Sequence, residues 1–310
     1  MMDSDLPLDT SHPAVRDYLA LVRLQVLTPL SLLINIATMM VCSLVINPNL
    51  KDIVELYPNV IAPLPSMIAV YIVMIYLGQV GYCILLVLAR KPETKKTMVR
   101  GVGLPLVFAN WFMAGWAIAW LFQAFWLSTV LLGILFVLLV YANIVLLVYH
   151  APTGERPFDI ALIHAPVRAF MILPLGVLFP YCLFVALGWT WTQGDPQHYS
   201  QHQWAGLGIM LGVNILSLIV IALRRDIVWC IAASWICASI WSSKPKPFPV
   251  YITVVIFTIV HPLALVVSFL WLKLRRKPKE GAIRLPEEAR EEEGSLPRGP
   301  REVDAEALWG

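Results

Sequence analysis

The chain has 310 residues, of which 59% are hydrophobic and 14% charged. A soluble domain carries about 25% charged residues, so this composition excludes an ordinary water-soluble fold and points to a membrane protein. The net charge of +3 gives no footprint for nucleic acid, because the charge sits in short connectors and in the C-terminal tail rather than on one basic face.

The N-terminus opens with Asp3, Asp5 and Asp9 instead of a basic region, so no cleavable leader is expected and the first apolar span should act as its own insertion signal. Residues 1–22 read as a polar segment followed by a juxtamembrane helix, with Ser11 as cap and Pro13 in the first turn. The first span covers about 24–46 and stops at Asn47-Pro48-Asn49. A proline-rich connector leads to span two, about 67–89, which Arg90-Lys91-Pro92 ends. The loop that follows holds Arg90, Lys91, Lys95, Lys96 and Arg100.

Gly103 to Tyr149 is uncharged throughout. As a single helix it would be about 70 Å long, against ~30 Å for the hydrocarbon core of a bilayer. It must therefore fold back, and Gln123-Ala124-Phe125-Trp126 is the expected turn between span three (about 103–122) and span four (about 126–149). Span five is expected from near Pro166 to Gly188-Trp189, span six at about 205–223, a short span seven at about 227–241, and span eight at about 249–272. Residues 273–310 read as a basic run, Lys273 to Lys279, and then a disordered acidic tail. The resulting fold class is all-α, a bundle of about eight transmembrane helices over 23–272.

Alternate connectors test that count. One side collects sixteen Lys and Arg: Arg16, Arg23, the five of the second loop, Arg156, Arg168, Arg224, Arg225 and five between Lys273 and Lys279. The other side collects three, Lys51, Lys244 and Lys246. This bias supports the turn at Gln123 and places both termini in the cytoplasm.

No Asp or Glu falls within a span; Asp159 and Asp226 lie at edges. Proton-coupled pumps and intramembrane aspartyl proteases need buried carboxylates, and no Gly-x-Ser-x-Gly or phosphate-binding glycine loop occurs. The chain is thus expected not to be an enzyme. All five cysteines lie in apolar segments and form no metal-ligand pattern. His198 and His202 are four apart, but two histidines alone do not define a metal site, and no resident metal or cofactor is expected.

Neutral polar side chains remain at depth: Asn35, Gln79, Asn110, Asn143 and Asn214. They suit interhelical hydrogen bonds or a ligand. His164 and Arg168 share one helix face, about one turn inside span five, and suit an anionic ligand or lipid phosphate. Trp120 and Trp126, beside the turn, read as interfacial belt residues, whereas mid-span Trp111 and Trp116 either line a pocket for a flat apolar ligand or fill the core.

Tyr71 to Tyr82 (YIVMIYLGQVGY), Asn110-Trp111 through Trp120, the long fourth span, Ala165-Pro166 through Trp189, and Arg224-Arg225-Asp226 before Trp235 form an ordered set of motifs. In this order the chain resembles extended relatives of the TspO/translocator protein (tryptophan-rich sensory protein) family over about 24–272. It is similar, too, to a fungal group of multipass proteins of unknown function. The resemblance implies a helical bundle that takes porphyrins, sterols or similar flat hydrophobic molecules, with Tyr71, Tyr82, Asn110, Trp111, Trp116 and Asn143 as pocket positions. The leading functional reading is binding or passive handling of such a molecule; the others are a small-solute or ion transporter and a membrane scaffold acting through its tail. Expected partners are membrane lipids and that ligand, an oligomer is compatible with this, and an endomembrane or the mitochondrial outer membrane would suit the chain.

Orientation is directly measurable. A glycosylation acceptor placed between residues 193 and 203 should be modified in a eukaryotic host, and one placed beside Lys95 should not. The reverse pattern would invert the topology.

Overall fold

The computed structural model describes residues 13–150, 156–191 and 196–275, and among them the chain is helical with no strand. Two compact units are distinguished, one ending at Ser268 and one beginning at Phe269. In the second, the Arg275 guanidinium lies 5.0 Å from the centre of the Trp271 ring. The expected cap at Ser11 and the acidic tail after Arg275 fall outside the described residues.

Helix α1 (Pro13–Met40) starts on a proline, which suits the first turn because the missing N–H needs no partner there. The juxtamembrane stretch is continuous with the first span rather than separate from it. α2 (Leu50–Leu56) is held by a reciprocal cap: Asn49 Oδ1 accepts from the Asp52 N–H at 3.0 Å, and the Asp52 carboxylate accepts from the Asn49 N–H at 2.9 Å. α3 (Pro65–Leu88) precedes α4 (Pro92–Lys96), which occupies the segment read above as a basic loop. It is helical because Pro92 and Glu93 favour its start and Lys95 and Lys96 complement the negative end of its dipole.

α5 (Gly103–Leu121) and α6 (Phe125–Tyr149) form the expected hairpin, joined by Phe122-Gln123-Ala124. Gln123 takes a left-handed φ of 55°, and its Oε1 accepts a 2.8 Å hydrogen bond from Tyr57 Oη. The next span begins earlier than Pro166. It runs from Pro157 to Ala186 as α7 (Pro157–Asp159), α8 (Ala165–Leu173) and α9 (Phe179–Ala186), joined by wide π-turns at Ile160–His164 and Pro174–Leu178. α10 (Gln203–Arg224) ends on a left-handed Arg225, α11 (Ile227–Ser242) follows, and α12 (Phe248–Arg275) is last.

Two π-turns share one cause. Ile160–His164 and Pro174–Leu178 each end two residues before a proline of the same continuous span, Pro166 and Pro180, whereas Val41–Val45 and Thr97–Val102 each close a helix, at Ile46 and at Gly103. Proline leaves the carbonyl four residues earlier without its N–H, and widening the turn lets neighbouring donors take up the slack.

Seven of the helices among the described residues are long and apolar enough to cross a membrane. α11 has 16 residues, or about 24 Å. It nonetheless runs beside α3 in the opposite sense, since Ser239 O accepts from the Leu64 N–H at 2.8 Å, Trp235 Nε1 donates to Met67 O at 2.9 Å, and its start faces α8. Connectors assigned to the charge-poor side meet each other at one end: Tyr57 with Gln123, Trp191 N–H with Pro58 O, and Lys246 with Asn59 O and Ala62 O. Those of the charge-rich side meet at the other: Arg156 with Glu93, Thr97 with His150, and Arg225 with Ser268 O.

Two spans form the interior. The most apolar window is 61% buried in Pro92–Leu121 and 72% buried in Pro157–Ala186, against 28% to 33% in the other five. Close approach depends on small residues, as expected where lipid supplies no hydrophobic drive. A Cβ on Gly78 would come within 2.8 Å of the Pro166 ring, and one on Gly81 within 2.7 Å of Leu162.

Candidate functional site

Amides join the first three spans. Tyr76 Oη donates to Asn35 Oδ1 at 3.1 Å, Asn35 Nδ2 to Asn110 Oδ1 at 2.9 Å, and Asn110 Nδ2 to Gln79 Oε1 at 2.8 Å. The chain ends on Gln79 Nε2, which is buried without a partner among the described residues. Asn143 is used differently: its Nδ2 donates to Leu139 O at 2.8 Å and to Val167 O at 3.3 Å, tying α6 to α8 just after Pro166.

The residues expected to line one pocket are dispersed. Tyr71 Oη donates to Ala169 O at 2.8 Å and Tyr82 Oη to Met98 O at 3.4 Å, each binding α3 to a neighbouring segment. Trp111 departs from both readings of it, since it neither fills the core nor faces it. One step along α5 turns it about 100° from the buried Asn110, and it is 45% exposed on the outer face with its ring edge-on to Phe108. Trp116 points inward, where its Nε1 lies 3.4 Å from Cys182 Sγ.

A different cluster surrounds Trp116, at the end of the bundle near Gln123. Trp120 is expected at the interface, yet it is 1% exposed. The reason is that Trp120 lies on the inward face of α5, an interior span, whereas the end of the helix is open, with Phe122 80% exposed. Its ring lies 6.4 Å from Trp116, 5.1 Å from Phe125 and 5.5 Å from Tyr181. Trp126, at 60% exposure, stays on the outer face. Tyr181 Oη donates to Tyr57 O at 3.2 Å, joining this nest to α2. Trp120 Nε1 is buried there without a partner among the described residues, as is Ser128 Oγ on α6.

The connector from Pro58 to Leu64 closes this end. Asn59, Val60, Ile61 and Ala62 are buried although none is helical. Asn59 Oδ1 accepts from the Ile61 N–H at 3.1 Å, and Lys246 Nζ donates to Ala62 O at 2.6 Å and to Asn59 O at 3.3 Å. Burial holds the Lys246 amine down at about 7. The ordinary value of about 10.5 returns on unfolding, so the unfolded chain binds more protons between these limits and stability rises with pH across them. The melting temperature in detergent should therefore climb between pH 7 and 9.5, and Lys246→Met should remove at least half of that climb.

At the opposite side of the interior, Arg168 lies eleven residues past Pro157, about 16 Å along the helix, instead of one turn from its start. Its Nη1 meets Asp226 Oδ2 at 2.6 Å, with the two side chains 14% and 4% exposed. Asp226 Oδ1 also accepts from the Trp229 N–H at 3.1 Å and so caps α11. Asp226 is at a span edge in sequence, but the shortness of α11 sets it inside the bundle. His164, one turn from Arg168, is buried with Nδ1 unpartnered among the described residues. Nearer the charge-rich end, Thr94 Oγ1 donates to the Asp159 carboxylate at 2.9 Å, and Arg156 reaches Glu93 at 3.0 Å. There burial first, and then Lys96, Arg100 and Arg156, push the His150 imidazole below its usual range.

Removing one partner of a buried ion pair costs about 3–5 kcal/mol because the other charge is stranded. Asp226→Asn keeps the cap but strands Arg168, and should lower the melting temperature sharply. Arg168→Met combined with Asp226→Asn should recover most of that loss. If the single and double variants melt together, the pair does not couple.

Of these features, the motifs above single out Asn110, Trp116 and Arg168; they miss Trp120, Tyr181, Asn59, Lys246 and the burial of Asp226. Asn59 carried one signal, an asparagine between prolines at Pro58 and Pro63. The partners of Lys246 and Asp226 lie 184 and 58 residues away, beyond any local pattern.

Comparison with known proteins agrees with the architecture. No curated protein and no solved structure matches the chain. The profile of the TSPO-like protein family matches residues 25–271, which takes in every span from α1 to α12. The chain is a multipass membrane protein of the TSPO-like family.

Proposed function

We propose that this protein binds a flat hydrophobic small molecule, porphyrin- or sterol-like, in the aromatic nest of Trp116, Trp120, Phe125 and Tyr181, and carries or shelters it without chemical conversion. Its termini are cytoplasmic in this reading, as the charge count favours. The observation that carries the reading is the unpartnered Trp120 Nε1, a buried indole donor amid aromatic faces. A buried donor without an acceptor is unfavourable by about 1–3 kcal/mol. A ligand that brings a carbonyl, carboxylate or hydroxyl oxygen to it recovers that energy while its ring system takes offset or edge contacts with the aromatic walls. Membership of the TSPO-like family supports the same class of ligand.

Titration with protoporphyrin or a sterol should quench the intrinsic tryptophan fluorescence saturably. Trp120→Phe keeps the aromatic face and deletes the donor, so affinity should fall roughly three- to tenfold, the range of one neutral hydrogen bond, while the unliganded protein stays as stable as before. Trp111→Phe, on the outer face, should leave affinity unchanged. Absence of saturable quenching, or equal affinity with and without the Trp120 indole, would overturn the assignment.

A further inference from the structure

A cleft of about 280 Å³ opens between α1 and the start of α5, away from the aromatic nest. Two arginines line it, Arg23 from α1 and Arg100 from the π-turn Thr97–Val102, and both are exposed. The remaining wall is largely apolar, with Leu24, Val102, Leu104 and Tyr141 among its residues. Its floor is set by a backbone break: Gly103 takes a φ of 47°, which redirects the chain between the π-turn and α5 and which an L side chain would strain.

Its level in the bundle follows from a neighbouring bond. Gln25 Nε2 donates to Leu86 O at 2.9 Å, which sets Arg23 beside the last turn of α3, just before Arg90 and Lys91. This is the charge-rich end, where headgroups of one leaflet meet the protein. Above the cleft, Leu104, Phe108 and Trp111 recur at helical spacing on the exposed face of α5 and form an apolar strip leading from it toward the middle of the bundle. A cationic notch continuous with an apolar strip has the polarity sequence of a phospholipid: phosphate first, then acyl chain.

We propose that this cleft seats the phosphate of an anionic membrane lipid between Arg23 and Arg100, with an acyl chain laid along Leu104, Phe108 and Trp111. Guanidinium groups suit a phosphate because their N–H groups present a planar fork to its oxygens, and basic pockets between helices at a membrane boundary take such headgroups. The proposal is independent of whether the aromatic nest holds a ligand, and it gives the outward Trp111 a partner that its position explains.

Native mass spectrometry of the full-length protein in neutral detergent, titrated with phosphatidylglycerol or phosphatidylcholine, tests it. Phosphatidylglycerol should bind at least tenfold more tightly than phosphatidylcholine. Arg23→Gln with Arg100→Gln should abolish that preference, and Arg90→Gln with Lys95→Gln, which removes two charges from the same end but outside the cleft, should leave it intact. Ala20→Trp fills the cleft without changing charge and should also block the lipid, so the test survives if the double glutamine variant fails to fold. Equal loss in the two charge-matched variants would reduce the effect to diffuse attraction and overturn the site. So would undiminished binding by a normally folded Ala20→Trp protein. Inorganic phosphate at the same concentration should not displace the lipid; if it does, the cleft is a small-anion site and the lipid assignment is wrong.

Discussion

A polar group inside a bilayer has no water to turn to, so its partner must come from the protein itself. Much of the internal geometry of this bundle follows from that constraint. Three amides and a tyrosine hydroxyl join α1, α3 and α5 in a chain of side-chain hydrogen bonds. Tyr71, Tyr82 and Tyr181 each send a hydroxyl to a backbone carbonyl on another segment. These bonds are individually modest, about 0.6 kcal/mol on average between membrane helices. Their effect is directional: each fixes the rotation of one helix against the next, which the uniformly apolar surfaces around them leave undetermined.

The same constraint explains how so many prolines are tolerated in the interior. Pro166, Pro174 and Pro180 all lie in the most buried span, where a freed carbonyl is least affordable. The wide turns at Ile160–His164 and Pro174–Leu178 take up two of these disruptions. Beside Pro166, Asn143 Nδ2 also reaches from α6 to Val167 O and so ties the two helices together next to the proline, although the carbonyl that Pro166 frees is that of Leu162. Proline in turn brings a compact ring to the helix surface, against which Gly78 packs with no room for a Cβ. Breaks in hydrogen bonding and close packing therefore occur at the same positions.

The sequence was legible where the physics is local or summed over many residues. The turn at Gln123 follows from a length that no single helix could use, and the grouping of connectors expected from charge alternation agrees with their pairing at the two ends of the bundle. It was less legible where the answer lies in a distant partner. Arg168 reads as an interfacial cation until Asp226, 58 residues on, is brought to it. Trp120 reads as a belt residue because it stands near a turn; its position on the inward face of an interior span, which no local pattern reports, buries it instead. Pro166 reads as a helix start because proline commonly is one, whereas π-turns allow it to sit inside a rod that began at Pro157. Pocket positions chosen by motif scattered for the same reason: motif order reports which spans are present, and rotation about each helix axis decides what they face.

The groups left unsatisfied are informative against this background. Gln79 Nε2, His164 Nδ1, Trp120 Nε1 and Ser128 Oγ are among nine buried side-chain atoms without a partner among the described residues, the indoles of Trp229 and Trp241 being two of the others. The first ends the amide chain that Asn110 donates into, and the second is one turn from Arg168, which is already paired with Asp226. Trp120 Nε1 lies among aromatic rings, at the end of the bundle that the non-helical connector Pro58–Leu64 closes. That connector is fixed instead by a handful of tertiary bonds, chiefly Lys246 to Ala62 O and Leu64 N–H to Ser239 O. The same segment also buries Asn59, Val60, Ile61 and Ala62, so displacing Pro58–Leu64 would break these bonds and expose packed apolar surface together. Lys246, whose amine burial holds at about 7, is the side chain that fastens this connector to the segment leading into α12.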